Sequence, residues 1–192
     1  MKKILLFNNG STLTSDIEKV LTRNSIAFQT VKHDFDCDNL DEYKGIIFSG
    51  SPDAVYDGGR TVNIKFIKND IPKLGICYGH QLCNYLLGGK VIKSDNPEYD
   101  VLKEFSIDVD NPIFEGMNKK HNVCMLHYDE VIELGEGFVS LGHTDVCKNA
   151  ASYNEQYKIY ALQFHPESDK YNDYSDEYYI NFNKICDNQK MA

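Results

Sequence analysis

Short apolar runs alternate with helically spaced apolar positions along the first half of the chain. Runs bounded by turn residues predict β-strands at Lys3–Asn8, Phe28–Lys32, residues 44–48 and Lys73–Ile76. A first helix is predicted from apolar positions at helical spacing around Ser15 and Glu18, which fit a capping box. A second helix is predicted less clearly over residues 61–68. A third is predicted over residues 80–87, and Gly88 is expected to end it. This β-α-β-α order predicts an α/β fold, an open and mostly parallel sheet flanked by helices.

The second half of the chain has a different pattern. Short candidate strands separated by polar turns lie at residues 91–93, 102–109, 122–126, 138–141 and 158–164. They predict extra antiparallel strands and hairpins that extend the sheet. A last helix is expected to begin near Ser175. Because no internal repeat and no linker rich in Pro, Gly or Ser interrupts the chain, we expect a single domain over residues 1–192.

Composition and charge narrow the function classes. The 192 residues are 42% hydrophobic and 26% charged, the profile of a folded soluble protein. A net charge of -9 argues against nucleic acid and membranes as partners, because both require a basic surface. The first apolar run is too short for a signal peptide, and no segment is long enough to span a membrane, so we expect a cytoplasmic protein. The six cysteines lack a CxxC spacing and are expected to be reduced.

Three predicted strand ends carry unusual chemistry, and the carboxyl ends of parallel strands meet at one edge of a sheet. The first is GICYGHQ, in which Gly75-x-Cys77-x-Gly79 has the form of a nucleophile elbow. The glycines leave room for a strained turn, and a helix that starts just after Cys77 favours its thiolate. For this segment alone, a buried structural thiol is the commoner interpretation, and both stay open.

The second strand end, QFHPE, supplies groups that such a nucleophile requires. Residues i and i+2 of an extended segment face the same way, so His165 and Glu167 are expected on one side. Pro166 favours the extended conformation at His165. The carboxylate then accepts from one ring nitrogen, and the other nitrogen works as base and acid. A structural histidine beside a surface glutamate is the alternative for this segment alone, but the two segments together predict a Cys-His-Glu triad.

The third strand end is FSGSP, where small residues follow the predicted strand at residues 44–48. The backbone N–H groups near Ser51, together with that of Tyr78 just after the candidate nucleophile, are predicted to form an oxyanion hole. Most stretches of this composition are plain turns, so this prediction depends on the two other segments.

In this order along the chain, GICYGHQ, QFHPE and FSGSP resemble the motifs of the class I (triad) glutamine amidotransferases, whose fold is flavodoxin-like. The resemblance covers essentially the whole chain and is closest to the glutaminase subunits of GMP synthases. Residues 8–11, Asn-Asn-Gly-Ser, are similar to the Asp-x-Gly-Ser opening of that group. Residues 124–131, CMLHYDEV, are similar to its W-M-S-H-G-D-x-V loop.

The resemblance implies a substrate, L-glutamine, and a role for each site residue. Cys77 would attack the side-chain amide, His165 would protonate the leaving ammonia and then activate water, and Glu167 would orient His165. The N–H groups of Ser51 and Tyr78 would hold the oxyanion. The amino-acid end of glutamine would be held by Gln81 and by the backbone around Leu126, His127 and Tyr128.

Three departures from the family's pattern bear on the glutamine pocket. The family has the motif SGGP where this chain has Ser-Gly-Ser-Pro, so Ser51 replaces the second glycine. This replacement is tolerated only where the backbone does not require a positive φ. Leu126 and Tyr128 replace the serine and glycine of the SHGD loop, which predicts a reshaped pocket or one closed by a partner. Residues 12–13, Thr-Leu, replace a Gln-Tyr pair.

Neither a metal site nor a cofactor site is expected. His121, Cys124 and His127 are spaced by three residues, but residues 122–126 are predicted to be a strand, on which this spacing alternates faces. The segment Gly58-Gly59-Arg60 lacks the lysine and the serine or threonine of a phosphate loop.

The lack of a nucleotide fingerprint makes a partner necessary, because ammonia is useful in biosynthesis only beside an activated acceptor. The resemblance implies a stand-alone glutaminase subunit in a hetero-oligomer. Its partner would be an ATP-dependent synthase subunit of the ATP pyrophosphatase type that adenylates an acceptor such as xanthosine monophosphate. The alternatives are a glutaminase of anthranilate or aminodeoxychorismate synthase, a γ-glutamyl peptidase or hydrolase, and a non-catalytic regulatory subunit of the same fold.

Overall fold

The structure is a computed structural model, and it describes residues 2–168, 170 and 172–188. Its strands are β1 (Lys3–Asn8), β2 (Phe28–Lys32), β3 (Tyr43–Phe48), β4 (Lys73–Ile76), β5 (Lys90–Ile107), β6 (Lys120–Glu133), β7 (Phe138–His143), β8 (Ala151–Asn154) and β9 (Ile159–Leu162). Its α-helices are α1 (Thr14–Arg23), α2 (Tyr78–Leu86) and α3 (Asp176–Asn188). The ends of the predicted domain, residues 1 and 189–192, lie outside the described residues.

The strands of the described residues form one sheet in the order β2-β1-β3-β4-β9-β8-β7-β5-β6. The five strands from β2 to β9 pair in parallel, so their carboxyl ends lie at one edge. FSGSP, GICYGHQ and QFHPE overlap the ends of β3, β4 and β9 or follow them directly. Since β4 lies between β3 and β9, the sheet places the Cys77 turn between the two other motifs.

Two apolar cores lie on opposite faces of this parallel half. Alternate residues of β1 divide between them, with Ile4 and Leu6 in one core and Leu5 and Phe7 in the other, because successive side chains of a strand point to opposite faces. Helices α1 and α3 contribute to the first core, and α2 contributes to the second. The predicted α/β fold with helices on both faces is therefore confirmed. No helix of the described residues is long and apolar enough to cross a membrane.

Beyond β9 the sheet continues in antiparallel order through β8, β7, β5 and β6. The predicted antiparallel extension is confirmed, but β5, β6 and β7 are longer than the sequence indicates, and the sequence pattern misses β8. β5 and β6 form a long hairpin, in which the register shifts on both sides of Glu98. Such bulges break the alternation of buried and exposed residues from which strand length is predicted. The pattern therefore shows β5 as two short pieces.

The predicted capping box at Ser15 and Glu18 is wrong. Helix α1 begins at Thr14, and Leu13 occupies the N-cap position without a side-chain hydrogen bond. The Glu18 carboxylate instead accepts from the Thr30 hydroxyl of β2 at 2.5 Å. A contact with the neighbouring strand has therefore replaced the local cap.

The predicted helix over residues 61–68 is also wrong, because only a 3-10 turn forms there, at Ile64–Phe66. The Asn63 side chain accepts from the Lys65 N–H group at 3.1 Å, and the Asn69 side chain accepts from the Ile71 N–H group at 2.9 Å. Asparagine bonds of this kind compete with helical backbone bonds. They start the turn and then direct the chain into β4.

Candidate active site

The GICYGHQ turn joins β4 to α2 and holds Cys77 in a strained backbone conformation. Cys77 has φ +52° and ψ −104°, a region that residues with side chains rarely adopt. The flanking glycines permit close backbone contact. A Cβ atom on Gly75 would lie 2.6 Å from the Gly79 carbonyl oxygen, and one on Gly79 would lie 2.2 Å from the carbonyl oxygen of Phe48. The turn therefore has the geometry of a nucleophile elbow.

We expect Gly79→Ala to lower the free energy of unfolding by about 3 kcal/mol. Helix propensity alone favours alanine at this helical position, but the added Cβ would meet the main chain of Phe48, which cannot rotate away. Chemical denaturation followed by circular dichroism measures the loss. Gly116→Ala is the control, because Gly116 has φ +79° with open space around it and only its backbone preference is tested. Equal losses in both variants would contradict the packing argument.

The Cys77 sulfur is nearly buried and has two polar neighbours. Cys77 as a whole is 6% exposed, and its Sγ donates to the Leu126 backbone oxygen at 3.5 Å. The Gln163 amide N–H donates to Sγ at 3.6 Å. Cys83, in α2, has no such environment, and burial raises the pKa of its thiol to about 12. The surroundings of Cys77 thus differ from those of a structural thiol.

His165 and Glu167 follow β9 and form a short hydrogen bond. His165 Nδ1 lies 2.7 Å from Glu167 Oε1, and Glu167 Oε2 accepts from the Tyr179 hydroxyl of α3 at 3.1 Å. Burial lowers the pKa of His165, but the charge of Glu167 and the nearby Cys77 sulfur outweigh it and hold this pKa well above its usual value. Glu167 and the Cys77 sulfur therefore both favour the protonated form of His165.

Two backbone N–H groups remain available at the site. Among the described residues, the N–H groups of Ser51 and Tyr78 donate to no acceptor. Ser51 is not among the residues with a positive φ, so serine fits where the family's pattern has glycine. The turn also packs closely on His165, since a Cβ atom on Gly50 would lie 3.1 Å from its Cε1 atom.

A cavity of about 350 Å³, a size typical of small-molecule sites, opens at Cys77. It is lined by Gly10, Ser11, Thr12, Leu13, Ser51, Pro52, Asp53, Cys77, Gln81, Tyr99, Leu126, His127, Tyr128, Asp129 and His165. All but two of the sequence-predicted site residues are in this set. Glu167 lies behind His165, and the Tyr78 side chain packs in the core on the α2 face. The structure therefore brings the predicted residues together.

Gln81 and His127 face the cavity with most of their polar atoms engaged. The Gln81 amide nitrogen donates to the Asp129 backbone oxygen at 2.8 Å and to Gln163 Oε1 at 3.2 Å. Both of its protons are thereby used, and only the amide oxygen is left for a ligand. The His127 ring contacts the Asp129 oxygen at 3.0 Å and Glu98 Oε2 at 2.9 Å. A ligand contact by His127 is therefore confined to its backbone.

Tyr99 and Tyr128 form an exposed aromatic pair at the rim of the cavity. They are 62% and 55% exposed, and their ring centroids lie 5.6 Å apart. The Tyr56 hydroxyl donates to Asp129 Oδ1 at 2.8 Å and so fixes the residue that follows Tyr128 in β6. Because Tyr128 is more than half exposed, its ring extends the rim and does not fill the cavity.

Sequence reasoning assigns no role to four residues of this site, namely Glu98, Tyr99, Gln163 and Tyr179. Gln163 lies inside QFHPE, and that position is the only sequence signal for it. Glu98 and Tyr99 lie in the irregular part of β5, where the pattern assigns no face. Tyr179 fits the apolar side of α3, so nothing in the sequence connects it to Glu167.

The histidines and the cysteine of β6 do not converge on one point. His121 contacts the Tyr178 hydroxyl at 2.6 Å and the Asn118 backbone oxygen at 3.0 Å, whereas His127 contacts Glu98. Within the described ranges, no group of three or more His, Cys, Asp or Glu side chains is arranged to hold a metal ion.

Comparison with known sequences matches the chain to one family. The profile described as glutamine amidotransferase class-I matches residues 5–183. The GMP synthase (glutamine-hydrolyzing) of Clostridium tetani is 37% identical over 174 residues, which is 87% of this chain and 34% of that protein. The protein of the same name from Lactobacillus johnsonii is 39% identical over 168 residues, 86% of this chain and 32% of that protein. This chain thus spans about a third of the length of the curated relatives it matches.

Solved structures match the whole chain. A proposed GMP synthase subunit from Thermoplasma acidophilum superimposes with a TM-score of 0.89 at 29% identity, over 100% of this chain and 96% of that one. A glutamine amidotransferase from Thermotoga maritima shares the fold, with a TM-score of 0.70 at 18% identity over 100% of this chain and 86% of that one. The resemblance seen in the motifs is confirmed, and the chain belongs to the class-I glutamine amidotransferase family.

Proposed function

We propose that this chain is the glutamine-hydrolysing subunit of a GMP synthase. It releases ammonia from L-glutamine and supplies it to an ATP-dependent partner that converts xanthosine monophosphate to GMP. The observation that carries the proposal is the meeting of Cys77 and His165 in one cavity, with Glu167 2.7 Å behind the ring. The relatives named GMP synthase, at 37% and 39% identity, support the choice of acceptor.

The first half of the reaction forms a thioester. The Cys77 thiolate attacks the side-chain carbonyl carbon of glutamine, and the carbonyl electron pair moves onto the oxygen. The N–H groups of Ser51 and Tyr78 hold this oxyanion. His165, whose protonated form is favoured by the charge of Glu167, gives its proton to the amide nitrogen. The electron pair of the oxyanion then re-forms the carbonyl as the carbon–nitrogen bond breaks, and ammonia leaves while the γ-glutamyl group stays on sulfur as a thioester.

The second half of the reaction hydrolyses the thioester. His165 is now neutral and takes a proton from a water molecule, which attacks the thioester carbon. The carbon–sulfur bond breaks, glutamate leaves, and the Cys77 thiolate returns beside protonated His165. Glu167 keeps its hydrogen bond to Nδ1 in both halves, so the opposite edge of the ring stays directed at the reacting atoms.

A separate synthase subunit completes the proposed enzyme. The chain corresponds to about a third of the relatives named GMP synthase, and we assign activation of the acceptor to a partner of the ATP pyrophosphatase type. The exposed pair Tyr99 and Tyr128 at the cavity rim favours docking of that partner over the cavity, because tyrosine is enriched at protein interfaces. Closure by the partner would also complete the glutamine pocket where Leu126 and Tyr128 depart from the family's pattern.

An affinity label tests this proposal. We expect a reactive glutamine analogue to modify Cys77, located by peptide mass spectrometry, and excess L-glutamine to protect it. Ammonia release from glutamine should then rise when the ATP pyrophosphatase subunit of a GMP synthase, with ATP and xanthosine monophosphate, is added.

The outcomes separate the proposal from its competitors. No adduct on Cys77, with or without the partner, would contradict the amidotransferase mechanism and favour a regulatory subunit. Activation by an anthranilate or aminodeoxychorismate synthase subunit, and not by that of GMP synthase, would change the acceptor. Rapid hydrolysis of γ-glutamyl peptides without a partner would identify a hydrolase.

A further inference from the structure

A second buried glutamine, Gln163, contacts the Cys77 sulfur in addition to the Leu126 carbonyl. Gln163 is the first residue after β9 and has no exposed surface. Its backbone N–H donates to the Ala150 oxygen at 2.9 Å, which fixes the origin of the side chain. Its amide group then lies between Cys77 Sγ, at 3.6 Å, and the amide of Gln81, at 3.2 Å. The Gln163 side chain therefore has few positions open to it.

The hydrogen-bond network determines which end of the Gln163 amide meets the sulfur. Gln81 lies 2.8 Å from the backbone oxygen of Asp129, which can only accept, so Gln81 must present its NH₂ group there. The second proton of that NH₂ group is donated to Gln163, whose amide oxygen must therefore be the acceptor. The Gln163 NH₂ group is thereby left facing Cys77 Sγ.

The two polar neighbours of the sulfur have opposite effects on its protonation. The Leu126 carbonyl can only accept, so its contact is favourable with the thiol and unfavourable with the thiolate. The Gln163 N–H can only donate to sulfur, and a donor favours the charged form. A positive charge on His165, which Glu167 favours, stabilises the thiolate as well. Without Gln163, the backbone carbonyl would be opposed only by His165 and by the N-terminus of α2, where Cys77 is the N-cap residue.

We propose that Gln163 is a further catalytic residue, whose amide N–H stabilises the Cys77 thiolate and whose orientation is set by Gln81. The inference rests on Cys77 being the nucleophile of the proposed function. The chain of bonds from the Asp129 carbonyl through Gln81 and Gln163 to the sulfur also links β6, which lines the cavity, to the nucleophile. Each bond in such a chain polarises the next, so the donor at sulfur is stronger than an isolated amide.

The pH dependence of Cys77 alkylation tests this role in the full chain without glutamine or a partner. Iodoacetamide reacts with the thiolate, and mass spectrometry of the Cys77 peptide gives the rate from pH 5 to pH 10. In Gln163→Met, which keeps the side-chain length and removes the donor, we expect the midpoint to move to higher pH. The labelling rate at pH 6 should fall about three- to tenfold, the size of one lost hydrogen bond of ordinary strength.

Matched variants separate this role from a structural one. Gln29→Met removes a glutamine amide from β2, far from the site in the sheet order, and its alkylation profile should match the wild type. If Gln163→Met does not fold, Gln163→Glu decides instead, because a carboxylate still accepts from Gln81 but presents no donor and adds negative charge beside the sulfur. It too should move the midpoint upward.

The results distinguish failure of this inference from failure of the proposed function. A folded Gln163 variant with an unchanged or lowered midpoint would overturn the role of Gln163 while leaving Cys77 as the nucleophile. A wild-type protein whose Cys77 is not alkylated preferentially over its other cysteines would overturn both.

Discussion

Cys77→Ala is expected to lower glutamine hydrolysis by about ten-thousandfold or more, while ammonia-dependent synthesis by the partner subunit stays unchanged. The variant removes the only atom that carries the γ-glutamyl group, and no neighbouring side chain replaces it. His165 and Glu167 remain, but an imidazole without a nucleophile cannot form the thioester. Under the proposed function, added ammonia bypasses this subunit, so the ATP-dependent step of the partner should proceed without it.

Both activities are measured in the reconstituted complex, with glutamine or with an ammonium salt as the nitrogen source. Cys83→Ala is the matched control, because Cys83 is a fully buried cysteine in α2, six residues farther along the chain. This control should keep its glutaminase activity. Equal loss of glutamine-dependent and ammonia-dependent synthesis in Cys77→Ala would contradict the division of labour between the two subunits.

The parallel half of the fold could be predicted because its signals are local. β1 and β4 have the predicted limits, Lys3–Asn8 and Lys73–Ile76, since each is short, has apolar residues inside those limits and is bounded by turn residues. The meeting of the motifs at the ends of β3, β4 and β9 follows from the prediction of a parallel sheet, because parallel strands bring their carboxyl ends together. Cys77, His165 and Glu167 therefore lie where sequence reasoning expects them.

The remaining parts of the site depend on contacts between residues far apart in the sequence. Tyr179 meets Glu167 because α3 returns across the sheet, and Glu98 meets His127 because β5 and β6 pair with shifted register. No local pattern encodes either contact. Glu18 shows that a long-range contact can also override a local pattern. Its sequence position predicts a helix cap, but its carboxylate accepts from the Thr30 hydroxyl of a neighbouring strand instead.

Glu167→Gln is expected to lower glutamine hydrolysis at pH 7 by about a hundred- to a thousandfold, although the variant keeps the shape of the site. A glutamine can offer its oxygen to His165 Nδ1 and its NH₂ group to the Tyr179 hydroxyl oxygen, so both contacts persist. What is lost is the negative charge. In the native site that charge, with the Cys77 sulfur, outweighs burial and raises the pKa of His165. Without it, burial dominates and the pKa falls.

The direction of the pH effect follows from that change. Because the pKa of native His165 is above its usual value of 6.5, the stabilisation from its charged form is complete below about pH 6.5 and is lost as the pH rises through the raised pKa. The difference in unfolding free energy between the wild type and Glu167→Gln should therefore shrink as the pH increases from 6.5. Chemical denaturation at a series of pH values measures it, with Glu42→Gln, which alters an exposed surface pair with Lys3, as the control. A difference that stays constant or grows with pH would show that the Glu167 charge does not hold the proton on His165.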